Sequence, residues 1–193
     1  MPPATTTSDL TVSTVDAPSA TFSLKKRGMA RRCLEIILKN SHRGKLPPNI
    51  DLVADIPNVE PFFRSGLPRP QHIENLKNLL GVESILTLAS DELPVFDVIK
   101  NLRIKHKFLK CNKATMTIAD IRIAIAWLQK SERALVHCHS GADKTGILVA
   151  ALRAQQGEKN RGILLREMLS YFALPQIVGG TRRLVDELLP AFL

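Results

Sequence analysis

The ten residues from His137 to Gly146, HCHSGADKTG, gather the groups in this chain best suited to covalent chemistry: a cysteine, two glycines, a threonine and the strong cation Lys144. The apolar run ALV before them reads as a buried strand, and ILVAALRA after them reads as a helix. In an α/β sheet, ligands bind outside the carboxyl ends of strands, and a helix N-terminus offers unpaired N–H groups to an anion. Cys138 at such a strand end faces backbone donors and the positive end of a helix dipole, a setting that favours a nucleophilic thiolate. Gly141 can take backbone angles closed to other residues as the loop wraps, and Gly146 permits close packing where the helix begins. The loop is thus built around an oxyanion, with His139, Ser140, Gly141, Ala142 and Gly146 as the expected phosphate-binding set.

Two other readings of the loop compete. A nucleotide-binding GxxxxGK[ST] loop fails, because it needs Gly directly before Lys and this chain has Asp143, whose charge repels a nucleotide's phosphates. An ordinary buried cysteine is the reading for Cys33 and Cys111. At Cys138 it gives way to the combination of strand, glycines, hydroxyls, cation and helix. Three Cys with no CxxC and no paired His spacing argue against a disulfide framework or a zinc site, so no metal and no cofactor are expected.

These residues need a scaffold. A chain of 193 residues, 45% of them hydrophobic, fits one domain with a sizeable core. No apolar run reaches the roughly 18 residues that span a bilayer, and no basic n-region precedes an apolar h-region. A cytoplasmic protein in a reducing compartment is expected. Residues Met1 to Ser23, rich in Thr, Ser, Pro and Ala, fit a disordered tail. From 24 to 54 comes a basic helix, about Met29 to Asn40 with Leu34, Ile37 and Leu38 on one face, and an extended lead-in; the domain proper is expected over 55–193. The net charge of +9 concentrates in this second segment. Lys25, Lys26, Arg27, Arg31, Arg32, Lys39, Arg43 and Lys45 stand there against Glu35 alone. Such a block is a solvated helix face or a patch for an anionic membrane surface or substrate; without interleaved aromatics, nucleic acid is an unlikely partner.

LPPNIDLVADIPNVEPFF reads as extended, because each Pro removes a donor and biases the residue before it toward β. From Phe62 strands and helices alternate. Ile73, Leu76, Leu79 and Leu80 give a helical stripe ending near Gly81; SILTL is a strand; Val95, Phe96, Ile99 and Leu102 mark a helix; HKFLK is a strand; Ile118, Ile121, Ile125 and Leu128 mark a helix capped by Thr117 with Asp120 at its third position. ALVH is the last strand, and helices follow over Ile147 to Gln156, Ile163 to Phe172 and Arg182 to Phe192. This order predicts an α/β domain with a mostly parallel central sheet covered by helices.

The sequence His-Cys, five residues, a cation, Thr, Gly resembles the HCx5R[ST]G signature of the cysteine-dependent protein tyrosine and dual-specificity phosphatases. NVEPFFRSGLPRP followed by a helix and SILTL is similar to the opening of their compact, atypical members, and the CxxGxD part is similar to atypical bacterial tyrosine phosphatases and myotubularin-type lipid phosphatases. The resemblance covers about Asp55 to the C-terminus and implies a dual-specificity-phosphatase-like fold. It implies that Cys138 attacks phosphorus to give a cysteinyl-phosphate that water hydrolyses. His137 would orient the loop and keep the thiol ionised, and the Thr145 hydroxyl would stabilise the departing sulfur. Asp143 would protonate the leaving oxygen; Asp120 and Asp91 are rivals, the first better explained as a helix cap and the second as a solvated strand end. The substrate would be a phosphoprotein, a phosphoinositide or an inositol phosphate.

The resemblance breaks at Lys144, where the family has Arg. A planar guanidinium grips two phosphate oxygens at once, which an ammonium cannot. Losing one charge-assisted bond costs roughly 1.5 to 3 kcal/mol, or about one to two powers of ten in rate. A weak or narrow phosphatase is therefore expected, with a non-catalytic phosphate-binding module as the alternative and a rhodanese-like sulfur carrier as a more distant one.

Overall fold

The two-residue period of β-structure sorts the apolar residues of the central strands onto opposite faces, and this sorting decides where the reactive loop emerges. The computed structural model describes residues 44–54, 56–169, 171 and 183–193. The tail over 1–23, the helix expected over Met29 to Asn40 and every cation of the basic block except Lys45 lie outside the described residues. Five strands, β1 (Asp51–Val53), β2 (Phe62–Ser65), β3 (Ser84–Ala89), β4 (Lys105–Lys110) and β5 (Ala134–His137), form one sheet in the order β1-β2-β5-β3-β4. β1 runs antiparallel to β2, and all other neighbours are parallel. The expected mostly parallel sheet is thus present.

The stretch read as continuously extended contains both β1 and β2. Between them the chain reverses, with Asn58 at φ 57° and Val59 N–H donating to the Ile56 carbonyl. Asn tolerates this left-handed backbone better than most residues.

Helices cover both faces. α1 (Pro70–Leu80) and α2 (Val95–Asn101) bury Ile73, Leu76, Val95 and Ile99 against Phe63, Ile85 and Leu135 of the sheet. On the other face α3 (Ile118–Leu128), α4 (Asp143–Gln155) and α5 (Arg161–Leu169) pack over Leu86, Leu88, Val136 and Cys138. A π-helical turn, Leu184–Leu188, and a 3₁₀ turn, Leu189–Phe192, join this second core through Leu184, Leu188 and Leu189. No helix among the described residues is long and apolar enough to cross a membrane.

Local signals place most boundaries. Gly81 ends α1 at φ 66°, and its N–H returns to the Lys77 carbonyl. Leu79, expected in the α1 stripe, is exposed, because the buried face runs through Ile73 and Leu76 and a residue three beyond Leu76 has rotated off it. α4 starts at Asp143, four residues earlier than the apolar pattern indicates, since an acidic residue suits a helix first turn as well as a loop. α3 has the expected reciprocal cap: Asp120 N–H donates to Thr117 Oγ1, and Thr117 N–H donates to Asp120 Oδ2.

Asp120→Ala removes one half of that cap and should lower stability by about 1 kcal/mol. Urea unfolding checks it, and an unchanged midpoint would contradict the capping assignment.

Candidate active site

β5 ends at His137, and the alternation of side chains sends His137 to the α1/α2 face and Cys138 to the α3/α4 face. Residues 138–142 then curl between β5 and the first turn of α4. The curl closes on the sulfur, for Gly141 N–H points at Cys138 Sγ, 3.3 Å away. Gly141 sits at φ 78°, and a Cβ built there would lie 2.6 Å from Gly66 N and from the Ser65 carbonyl carbon. Both the angle and the space require glycine.

What holds the curl open is a set of donors outside it. Leu67 N–H donates to the His139 carbonyl at 2.9 Å, Asn49 Nδ2 to the Ser140 carbonyl at 2.8 Å and Arg64 Nη2 to the Gly141 carbonyl at 2.7 Å. Each planar trans peptide carries its N–H opposite its C=O. Turning three successive carbonyls outward therefore turns the N–H groups of residues 140–142 toward the inside of the curl. Ala142 N–H is taken there by Ser140 Oγ at 3.2 Å. Arg64, wholly buried in β2, also lies under the ring of Tyr171, its Cζ 3.7 Å from the centroid.

The charged residues of the loop are tied to the segment that follows β4. Asp143 is buried and its Oδ2 lies 2.5 Å from Lys113 Nζ. Lys144 is buried too, and its Nζ donates to the Cys111 carbonyl at 3.0 Å. An ammonium has three donors, and this contact uses one. Thr145 Oγ1 is buried with no hydrogen-bond partner among the described residues. Gly146 N–H is committed to the Ala142 carbonyl, and a Cβ there would lie 3.1 Å from Met168 Cγ, so its part is close packing of α4 on α5.

The titrating neighbours differ sharply. Burial pushes His137 down to about 3, with nearby His106 and Lys144 acting the same way and the backbone of Cys138 opposing them. His137 is therefore a neutral hydrogen-bonding group at pH 7, not a cation. Burial pushes the Cys111 thiol up to about 11, which Lys144 partly offsets. Of the expected residues, Cys138, Asp143, Lys144 and Thr145 come together at the loop, His137 stands behind it, and the exposed His139 takes part through its backbone. Asp120 is engaged in its cap, and the exposed Asp91 accepts from Ser90 Oγ. Arg64, Asn49 and Lys113 were not singled out from the sequence. A charged residue inside the apolar strand FFRS is a signal that could have found Arg64.

No protein-family model matches the sequence, and no curated protein does. Solved structures do. The core catalytic domain of the PP-IP phosphatase SIW14 from S. cerevisiae, in complex with citrate, matches over 74% of this chain and 86% of its own, with a TM-score of 0.60 and 21% identity. P. aeruginosa TpbA in complex with pTyr matches over 68% of this chain and 82% of its own, with a TM-score of 0.57 and 18% identity. PTPMT1 matches over 71% and 93%, at 0.54 and 14%. At these identities the likeness is one of fold alone: a mostly parallel five-stranded sheet covered by helices, dual-specificity-phosphatase-like.

Gly141→Ala should cost about 1–3 kcal/mol, the range for backbone strain at a functional site, and weaken binding of inorganic phosphate; unchanged stability would contradict the contact with Ser65 and Gly66. His137 also gives a pH signature. Its unfolded value is 6.5 and its folded value about 3, so between these the unfolded chain holds a proton that the folded chain lacks. Stability should fall as pH drops through that window, by up to about 1.4 kcal/mol per pH unit from this residue. Urea midpoints should decline less steeply in His137→Gln, which cannot charge.

Proposed function

We propose that this chain is a cysteine-dependent phosphomonoesterase of the protein tyrosine or dual-specificity type. The observation that carries the reading is the loop itself: a thiol at a strand end, inside a curl whose carbonyls are fastened outward and whose next turn begins a helix. A tetrahedral dianion suits such a ring of N–H groups, which stabilise charge without reorganising. The neighbours in fold support it, since one is named a PP-IP phosphatase and another was captured with pTyr.

In the proposed reaction Cys138 Sγ forms a bond to phosphorus as the ester P–O bond breaks. Asp143 gives its proton to the leaving oxygen, and Thr145 Oγ1 donates to the sulfur when it leaves. Water then attacks the cysteinyl-phosphate, its proton passes to Asp143, and inorganic phosphate departs. Lys144 shifts an N–H from the Cys111 carbonyl to the phosphoryl oxygens. The cost of using a point charge there makes the enzyme slow or narrow. Substrates are phosphoproteins, phosphoinositides or inositol phosphates, and the block from Lys25 to Lys45 supplies attraction for anionic surfaces. The unpaired thiols Cys111 and Cys138 suit a reducing, cytoplasmic setting.

A second reading, a phosphate-binding module without turnover, is favoured by one feature: both loop charges are already engaged, Lys144 by Cys111 and Asp143 by Lys113. Turnover of para-nitrophenyl phosphate with trapping of a phosphocysteine separates the two. Cys138→Ser should abolish hydrolysis while retaining phosphate binding. Lys144→Arg should raise kcat by about ten- to a hundredfold, the worth of one charge-assisted bond, and Lys144→Ala should lower it. An inactive native protein that still binds phosphate would establish the second reading.

A further inference from the structure

The guanidinium that fastens the Gly141 carbonyl is itself stacked against a ring. Arg64 is wholly buried in β2, and its Nη2 donates to that carbonyl at 2.7 Å. All N–H donors of a guanidinium lie in its plane, so its faces suit an aromatic ring better than a hydrogen-bond partner. Tyr171, just past the end of α5 and half-buried, supplies that ring, its centroid 3.7 Å from Arg64 Cζ.

The ring is fixed at its other end. Tyr171 Oη donates to Asp51 Oδ2, while Asp51 Oδ1 accepts from Leu52 N–H at 2.8 Å, which orients the carboxylate on its own strand. Asp51 of β1 stands directly opposite Arg64 of β2, so the two side chains share one face of the sheet and lie within reach of a single tyrosine. The segment that carries Tyr171 meets the loop a second time. Met168 closes on Gly146, where a Cβ would lie 3.1 Å from Met168 Cγ. The end of α5 thus braces the first turn of α4 directly and the curl through Arg64.

We propose that Tyr171 is a positioning residue: held by Asp51, its ring sets the plane of the Arg64 guanidinium and so keeps the Gly141 carbonyl turned outward and the Ala142 N–H inward. An arginine side chain has much rotamer freedom to lose on burial. Stacking stops its planar head from rolling off the carbonyl, and the hydroxyl on Asp51 stops the ring from sliding off the head. A contact made across 120 positions of sequence thereby acts on the loop through one cation. The effect on rate rests on the reaction proposed above; the direction of the Gly141 peptide does not.

The sequence makes this peptide readable by itself, because Gly141–Ala142 is its one Gly–Ala pair. With ¹³C-carbonyl glycine and ¹⁵N-alanine, a carbonyl–amide correlation spectrum holds a single peak, from the Gly141 carbonyl and the Ala142 N–H. Arg64→Met marks where that peak lies once the bond to Gly141 is lost. Tyr171→Leu should move it toward that position, the carbonyl to higher field, and lower kcat for para-nitrophenyl phosphate about tenfold. Tyr171→Phe and Asp51→Ala each keep the ring and lose only its hydrogen bond; both should move the peak less and lower kcat about threefold. In the Arg64→Met background Tyr171→Leu should change kcat by less than about twofold, since its effect passes through Arg64. An unmoved peak in Tyr171→Leu would overturn the proposal, as would equal losses of kcat in the Leu and Phe variants or additive losses with Arg64→Met. Should Tyr171→Leu not fold, Asp51→Ala at its exposed site carries the test, and an unmoved peak there would overturn the proposal too. The peak is read without substrate. A native protein whose peak moves as expected in these variants but which shows no turnover would therefore uphold the role of Tyr171 and overturn the reaction.

Discussion

The structure depends on one constraint: the carbonyls of a five-residue curl must point away from the thiol it surrounds. Left alone, a curl this tight has no reason to choose, because each peptide can turn either pole inward. The choice is imposed by three donors from elsewhere in the chain, Leu67 N–H, Asn49 Nδ2 and Arg64 Nη2. Two of the three come from β2 and the turn after it, which explains why β2 must lie beside β5. Their parallel register sets Ser65 opposite His137, so the strands end level and RSG meets the curl where it begins. Gly66 is itself wedged, its N–H on the Pro48 carbonyl and its Cα side close to Pro48 and the His139 carbonyl. The sheet order is thus part of the site's electrostatics.

The charges obey a similar logic on the other side. Asp143 and Lys144 are adjacent in the first turn of α4, buried, and each reaches the segment after β4. A buried charge is costly unless paired, and this segment supplies the counterparts in the side chain of Lys113 and the carbonyl of Cys111. It is held in turn by Asn112, whose Oδ1 accepts from Ala114 and Thr115 N–H, and by Arg183, which donates to the carbonyls of Lys113 and Met116. The loop therefore sits between two scaffolds of opposite character. Donors on the β2 side fix backbone direction, and the β4 side fixes charge.

The sequence made the loop legible because the information there is local: thiol, glycines, cation and helix start are read within ten residues. The α3 cap and the end of α1 were legible for the same reason, each resting on a side chain or glycine within four residues of the group it satisfies. The scaffold was not. Arg64 meets Gly141 across 77 positions and Asn49 meets Ser140 across 91, and no spacing rule reaches that far. RSGLP was noticed only as a likeness, without the task its residues perform. The start of α4 was misplaced because Asp143, Lys144 and Thr145 are polar and buried at once, so the apolar pattern marks the helix four residues late. Burial of polar residues is where a hydrophobic pattern must fail, and it fails here at the residues with chemistry to do.

That failure points to the deeper economy of the strand. Successive residues of β5 and the loop face opposite cores, so His137 enters the α1/α2 side and Cys138 the α3/α4 side. A thiol alone at a strand end would be anchored from one face. The histidine directly before it is held on the opposite face, where its Nε2 meets Thr87 Oγ1, and the contacts extend to His106 at the edge of the sheet. An ionised histidine would add a charge to this buried site. The enclosure that buries His137 behind the loop is therefore also what keeps it neutral, and the thiol on the other face is presented by a strand end with no charge beneath it.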